Sequence, residues 1–423
     1  MELIILMLSL IGLLAIRVPV AFALLISSMI VFAILGLNPL VAVQRLSAGI
    51  DVFTLMAIPF FVFAGDLMTQ TGIAARLIRV AEGLFGRVRG GLGHVDVGAS
   101  MMFGAVSGSA VASVSAIGST MIPIMEDKGY DRAFSVNVTC AAAVLGLIIP
   151  PSHNMIIYAA ASGISISIGE LFVAGILPGL VCGAALMITV SLIARRKGYP
   201  KGEFPGVKAL LLAALSALPG LLTAVIIVVG ILGGVFTPTE SSAVAIIYTL
   251  VIGLLVYRTL GVQEFTAAVI NSAKTTSMIM LIIGAAAAFG WLLALLEAPL
   301  MMSGAILGLT DSPILILAMV LLCLLVLGTF MDMAPLIIIV TPIFLPVMQT
   351  IGVDPVHFGV IMMLGLGIGT ITPPVGTVLF VGAAVGKIRM EDTVKSMWPF
   401  YTALMLCLLL IAYVPQISLM LVR

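Results

Sequence analysis

Apolar stretches of membrane-spanning length, about 20 residues for a hydrocarbon core of about 30 Å, recur from Met1 to Val422 and leave no room for an extramembrane domain. No water-soluble surface can be assembled from such a chain: 62% of its 423 residues are hydrophobic, 9% are charged, and the mean hydropathy is +1.32. The expected fold class is an all-α integral membrane protein whose recognition site lies within the bilayer. A net charge of +1 without a basic tract argues against nucleic-acid binding and against a polybasic lipid anchor. Cys140, Cys182, Cys323 and Cys407 stand singly in apolar runs, with no CxxC or Cys/His cluster, and read as small core residues. Met1 to Ile16 has Glu2 where a signal peptide carries a basic region, and no small-residue cleavage site follows, so it is expected to be the first spanning helix.

The chain also repeats itself. Adding 223 to residue numbers maps Pro123 to Pro346, Met125 to Met348, Gly129 to Gly352, Asp131 to Asp354, Gly146 to Gly369, Ile148 to Ile371, Pro150 to Pro373, Pro151 to Pro374 and Gly163 to Gly386. Duplication explains this, with the hydrophilic stretch Arg195 to Lys208 as the midpoint linker. Two halves follow, 1–200 and 209–423, joined by a cytoplasmic linker at 201–208.

Lys and Arg collect in cytoplasmic loops, which gives a test of relative orientation. Arg76, Arg79, Arg87 and Arg89 precede segment 95–125, and Lys128 and Arg132 follow it, so both its ends are assigned to the cytoplasm. Ile164 to Glu170 has no Lys or Arg, and one crossing later come Arg195, Arg196, Lys197, Lys201 and Lys208. In the second half Val235 to Glu240 has none, Arg258 and Lys274 are read as cytoplasmic, and Glu297 through His357 again has none. The equivalent segment, 312–349, is therefore expected to enter from outside, before Lys387, Arg389 and Lys395 return to the cytoplasm. Arg45 breaks the pattern. The count is ten full spans, two re-entrant hairpins and both termini periplasmic, an inverted repeat of the kind that recurs in secondary transporters.

Four motifs carry the candidate chemistry. Phe103 to Ala110 (FGAVSGSA) sits in the first hairpin, whose arms of about a dozen residues would end mid-bilayer. At its tip Gly108 permits positive φ, while the Ser107 and Ser109 hydroxyls and freed carbonyls are hard oxygen ligands. The competing reading is a small-residue packing face continued by Ser113, Ser115 and Ser119. Gly146 to Asn154 (GLIIPPSHN) interrupts a long apolar segment; Pro150 and Pro151 lack amide hydrogens, so a broken helix is expected, with a half-helix starting near Ser152 to Asn154. Its carbonyls can hold a cation and its positive end a carboxylate, against the alternative of a plain proline kink. His153 reads as a hydrogen-bonding residue, since no second His or Cys is near.

Gly328 to Pro335 (GTFMDMAP) and Gly369 to Gly376 (GTITPPVG) occupy the matching places in the second half, which weakens the kink reading. Ser109 maps to Asp332, a carboxylate inside the membrane and so functional by default. Asp332 with Thr370 and Thr372 makes a cage of hard oxygens suited to sodium; the alternative is a protonated acid bonded to a backbone carbonyl. Arg17, Glu170, Glu240 and Glu297 read as snorkelling or capping residues. Asp66 is noted as able to face a polar pocket, and Trp291 and Trp398 fit interfacial belts or core.

Together, Ser107 to Ser109, the Pro-Pro breaks at 150–151 and 373–374, Asp332 to Pro335, and Thr237 to Ser241 (TPTES) opening a helix resemble the large membrane (permease) subunit of the TRAP transporters, DctM-like, across essentially the whole chain. The resemblance implies an elevator. Its transport domain takes about 53–163, with hairpin 95–125, and about 274–386, with hairpin 312–349; its scaffold helices lie in 1–50 and 209–257. It implies symport of an organic acid anion (C4-dicarboxylate, sialic acid, or a related sugar or keto acid) with Na+ as coupling ion, in a bacterial inner membrane, and no enzymatic activity. Sodium is assigned to Ser107, Gly108, Ser109, Pro150, Asn154, Asp332, Thr370, Thr372 and Gly376. The solute is assigned to Ser107, Ser152, His153, Asn154, Pro373, Pro374 and Thr377, through dipole ends and polar side chains rather than an intramembrane arginine. Implied partners are a periplasmic substrate-binding protein and a small four-helix membrane subunit, the latter a separate chain because no four-helix block precedes Met1. The rival readings are a stand-alone sodium- or proton-coupled symporter of the same architecture, and an intramembrane enzyme, for which no nucleophile–base or paired-aspartate constellation stands out.

Overall fold

The computed structural model describes residues 1–16, 18–202, 204–298, 301, 304, 308, 310 and 312–423; Arg17 lies outside them. Among the described residues the fold is helical, apart from one isolated bridge between Arg89 and Lys201. The first half comprises α1 (Glu2–Ala15), α2 (Val20–Ile34), α3 (Pro39–Ile50), α4 (Ala57–Gln70), α5 (Ile73–Phe85), α6 (Gly91–Ser107), α7 (Ala110–Ser113), α8 (Ser119–Asp127), α9 (Arg132–Ala143), α10 (His153–Ala161) and α11 (Ile168–Lys197). The second comprises α12 (Val207–Leu232), α13 (Pro238–Val251), α14 (Val262–Leu295), α15 (Pro313–Gly328), α16 (Met333–Thr350), α17 (Pro355–Thr370), α18 (Thr377–Val385), α19 (Met390–Tyr413) and α20 (Gln416–Leu419). A π-helical turn, Val114–Gly118, joins α7 to α8, and a 3-10 turn, Val144–Leu147, extends α9.

Local chemistry fixes several starts. Asn38 accepts from Leu40 N, and Asp354 from Val356 N and His357 N, each before a proline at the first helical position. Thr237 and Glu240 form a reciprocal capping box around Pro238. The hairpin arms are longer than expected: α6 has 17 residues, α15 has 16 and α16 has 18. Gly90, in the left-handed region at φ 75°, starts α6 ahead of its apolar run, and His94 ties back to Gly90 O.

Among the described residues, six helices are long and apolar enough to cross a membrane, seven if α4 and α5, bent by 70°, count as one. That is fewer than the ten spans expected, because α1, α2, α9 with its extension, α15 and α17 are shorter apolar helices. α16, expected as a re-entrant arm, meets the spanning criterion.

The helices pack as two groups. One joins α1–α4 with α12–α14; the other joins α6–α11 with α15–α19, and α5 touches both through α12 and α6. Within the second group the halves interlock: α10 packs on α16 of the second hairpin, and α18 packs on α9 and the π-helical turn of the first hairpin.

Element bounds recur at the sequence offset: Arg132–Leu147 plus 223 gives Pro355–Thr370. Contacts recur too. Thr139 Cγ2 lies 3.1 Å from where a Cβ on Gly118 would sit, and at the matching positions Thr341 Oγ1 lies 3.5 Å from Met362 Sδ. One residue out of the offset on the hairpin side, Gly104 packs on Gly146 and Gly328 on Gly369, in helix crossings close enough that a Cβ on Gly146 or Gly328 would sit 3.0 Å from its partner's Cα. Asp131 and Asp354 precede α9 and α17; Asp131 pairs with Lys197, and Asp354 pairs with Arg423 at 2.6 Å. The base of the first hairpin thus meets the C-terminal end of α11, whereas the base of the second meets the chain's C-terminus. There Tyr158 donates to Pro355 O at 2.6 Å, His357 approaches Ala412 O at 3.3 Å, and α20 packs on α11.

Candidate solute and ion cavity

Each hairpin turns where it meets a helix break. In the first, α6 stops at Gly108, whose φ of 62° suits glycine, and a Cβ there would lie 2.7 Å from Pro151 O. The Ser109 hydroxyl accepts from Ala112 N at 3.3 Å, capping α7. Opposite it, the apolar segment breaks between Leu147 and His153 around Pro150 and Pro151, with Ser152 as the cap position of α10 and its buried hydroxyl unpartnered.

In the second hairpin, α16 starts after Asp332, and Thr329 O accepts from Val375 N and Gly376 N at 3.2 and 3.3 Å, tying the tip to the break between α17 and α18. Thr377 Oγ1 lies 3.5 Å from Asp332 Oδ1. The Thr370 and Thr372 hydroxyls donate to Gly367 O and Ile368 O at 2.7 Å, leaving their oxygen lone pairs available. Tyr401 satisfies one carbonyl freed by the break, donating to Ile371 O at 2.7 Å.

These four features open onto one cavity of about 570 Å³. Of the residues singled out by sequence, Ser107, Ser109, His153, Asn154, Asp332 and Thr370 line it. Gly108, Pro150, Ser152, Thr372, Pro373, Pro374, Gly376 and Thr377 are not in its wall; they form the turns and breaks behind it. Asp66 does line it, on α4 with Thr69 and Gln70. The wall supplied by Asn271, Lys274 and Thr275 of α14 was not anticipated. Lys274, read above as a cytoplasmic marker, lies well inside a 34-residue helix rather than in a loop. At the repeat offset Val262–Leu295 covers α3 and α4 together, so the second half has one continuous helix through Lys274 where the first half has two.

Chemically the cavity offers hydroxyls, amides, an imidazole, two carboxylates and one ammonium, and His153 and Asn154 bring the positive end of α10 to its wall. That set suits a hard cation and an anionic solute together.

The family model for the tripartite ATP-independent periplasmic transporter, DctM component, matches residues 7–417. The sialic acid TRAP transporter large permease protein SiaM of Vibrio cholerae is 39% identical over 421 residues, covering 97% of this chain and 96% of its own. The C4-dicarboxylate TRAP transporter large permease protein DctM of Pseudomonas aeruginosa is 41% identical over 367 residues, covering 87% and 86%. Among solved structures, the YdaH transporter of Alcanivorax borkumensis superposes with a TM-score of 0.61 at 13% identity, over 88% of this chain and 86% of that one, a likeness of fold. These relatives are transporter permeases rather than enzymes, and the chain belongs with them to the DctM component of the tripartite ATP-independent periplasmic transporters.

Proposed function

We propose that the chain imports an organic acid anion by sodium symport, with two inverted halves and an elevator motion. The observation that carries this is the convergence of both hairpin tips and both helix breaks on one cavity containing Asp332. Sodium is held among Asp332, Ser107, Ser109, Asn154 and Thr370 and the carbonyls behind them, whereas the solute's carboxylate takes the hydroxyls and the start of α10. The relatives' substrates, sialic acid and C4-dicarboxylates, bound the expected solute class.

Inversion is supported by the two hairpin bases: Asp131 meets Lys197 at the C-terminal end of α11, whereas Gly359, early in α17, packs on Leu171 near the N-terminal end of α11. The packing argues for drawing the moving body from α6–α11 and α15–α19, with α1–α4 and α12–α14 as the scaffold, so that α4 and the α14 wall stay behind. The setting proposed is a bacterial inner membrane with both termini periplasmic, a periplasmic substrate-binding protein and a small membrane subunit as partners.

Uptake into proteoliposomes of labelled succinate, N-acetylneuraminate, gluconate and pyruvate, with both partners present, tests the coupling. An inward sodium gradient should drive one of them, and a pH gradient in sodium-free buffer should not; the reverse would make Asp332 a proton carrier. Inversion is tested by cysteines placed at the exposed positions Val88 and Gly352, with the exposed Cys323 replaced. They should label from opposite faces, and labelling of both from one face would refute it.

A further inference from the structure

The wall that α14 gives the cavity carries a positive charge. Among the described residues that line the cavity, Lys274 is the one lysine or arginine, against two carboxylates, Asp66 and Asp332. Among the described residues it makes no salt bridge, and its side chain is exposed at the cavity wall. An ammonium without an ion pair, facing a cavity that also holds carboxylates and amides, points to an anionic partner. An anion entering this chamber meets repulsion from both carboxylates, and in surroundings less polar than water that repulsion is strong at a few ångströms. A cation at Asp332 offsets one of them, and Lys274 adds a full positive charge to the attraction that the start of α10 supplies. Asn271 and Thr275, in the same wall, add hydrogen-bonding groups.

Building on the transport reading above, we propose that Lys274, with Asn271 and Thr275, is a carboxylate subsite that pairs with the solute's anionic group from outside the hairpin body. The ammonium donates charge-assisted hydrogen bonds to the carboxylate. α14 packs with α2, α3 and α4 and touches the hairpin body through α16. Ser107, Ser109 and Thr370 therefore travel with the solute, and Lys274 does not. When the body moves the pair breaks, so the subsite raises affinity on one face of the membrane only and biases the order of binding and release.

The test uses the full chain in nanodiscs with saturating sodium and the same four labelled probes. Lys274→Gln should weaken binding of the recognised probe by about 10-fold or more. Lys274→Arg should stay within about 3-fold, since charge is retained but geometry altered. Half-saturating sodium should be unchanged in both, which a merely misfolded variant would not give. In proteoliposomes Lys274→Gln should raise KM on one face and leave the other near the unaltered value. Unchanged probe affinity in Lys274→Gln overturns the subsite, and so does an equal rise in KM on both faces. If the unaltered chain neither binds nor transports any probe, the transport reading falls and this assignment with it.

Discussion

The two hairpins share a plan but not surroundings. In α6, 13 of 17 residues are buried, because α5, α9, α11 and α12 enclose it; in α15 only 6 of 16 are, with Ile314, Leu315, Leu322 and Val326 exposed. The enclosed arm tolerates polar groups: His94 bonds to Ser191 Oγ at 2.8 Å, and Asp96 accepts from Thr139 at 2.6 Å. At the repeat offset Asp96 becomes Met319 and Thr139 becomes Met362, as an arm presented to lipid requires. At the tips the trade reverses, Ser109 in the first becoming Asp332 in the second. A carboxylate in an arm thus follows from enclosure in protein, whereas one at a tip has the cavity to account for it.

The largest effect expected from this comparison is at the glycine crossings that set each hairpin against its broken helix. Gly146→Leu drives a side chain into the Gly104 backbone, and Gly369→Leu into Gly328, where a Cβ alone would already lie 2.5 Å from Gly328 Cα. Both should be destabilised by about 3 kcal/mol or more, since backbone cannot repack. Gly369→Leu should be the more damaging, because its Cβ would meet the Gly328 backbone at 2.5 Å whereas that of Gly146 meets Gly104 Cα at 3.0 Å, and α17 is buried along nearly its whole length. Thermal unfolding in detergent measures both, and a milder Gly369→Leu would mean that the looser packing around the arm of the second hairpin lets it give way.

Much of this was legible in the sequence, for identifiable reasons. Pro150, Pro151, Pro373 and Pro374 announce breaks because an amide hydrogen is missing whatever the surroundings, and the repeat offset carried those breaks from one half to the other. Asp96 was not singled out, because burial by α9 is a property of the fold. The α14 wall is not legible in the sequence because Lys274 reads as loop charge, and charge alone does not say whether a helix continues through it. The residues behind the tips, such as Thr372 and Gly376, were placed in the site because short motifs report which turn is special, not which atoms face the cavity.

The next effect separates the two carboxylates. Asp332→Asn should leave unfolding temperature nearly unchanged, since its side chain is exposed, while raising half-saturating sodium by about 10-fold or more. Asp96→Ala should do the opposite: it leaves the buried Thr139 hydroxyl with only Ser135 O and opens a void, costing about 2–4 kcal/mol. Its sodium dependence should be normal. A sodium shift in Asp96→Asn equal to that in Asp332→Asn would place the arm carboxylate on the ion path and end the distinction drawn here.

The smallest effects lie at the hairpin bases, where Asp131 and Asp354 look equivalent but are held differently. Asp354 caps α17 through Val356 N and His357 N and its side chain is 16% exposed, so Asp354→Ala should cost about 1–2 kcal/mol. Asp131 makes no side-chain cap bond, and its side chain is 54% exposed, as is 43% of Lys197. Asp131→Ala should therefore cost less than about 1 kcal/mol, and less still in high salt. The Lys197 hydrogen bond, aided by the Tyr199 hydroxyl, holds the Asp131 carboxyl below the usual carboxylate range. A carboxyl lowered on folding adds stability that is fully present above its unfolded value, about 3.9, and that fades as pH falls through the lower folded one. The unfolding temperatures of Lys197→Gln and the unaltered chain should therefore differ slightly at neutral pH and converge in acid. A gap that widened on acidification would mean that Lys197 does not act through Asp131, and the matched pairing of the two bases would lose its physical basis.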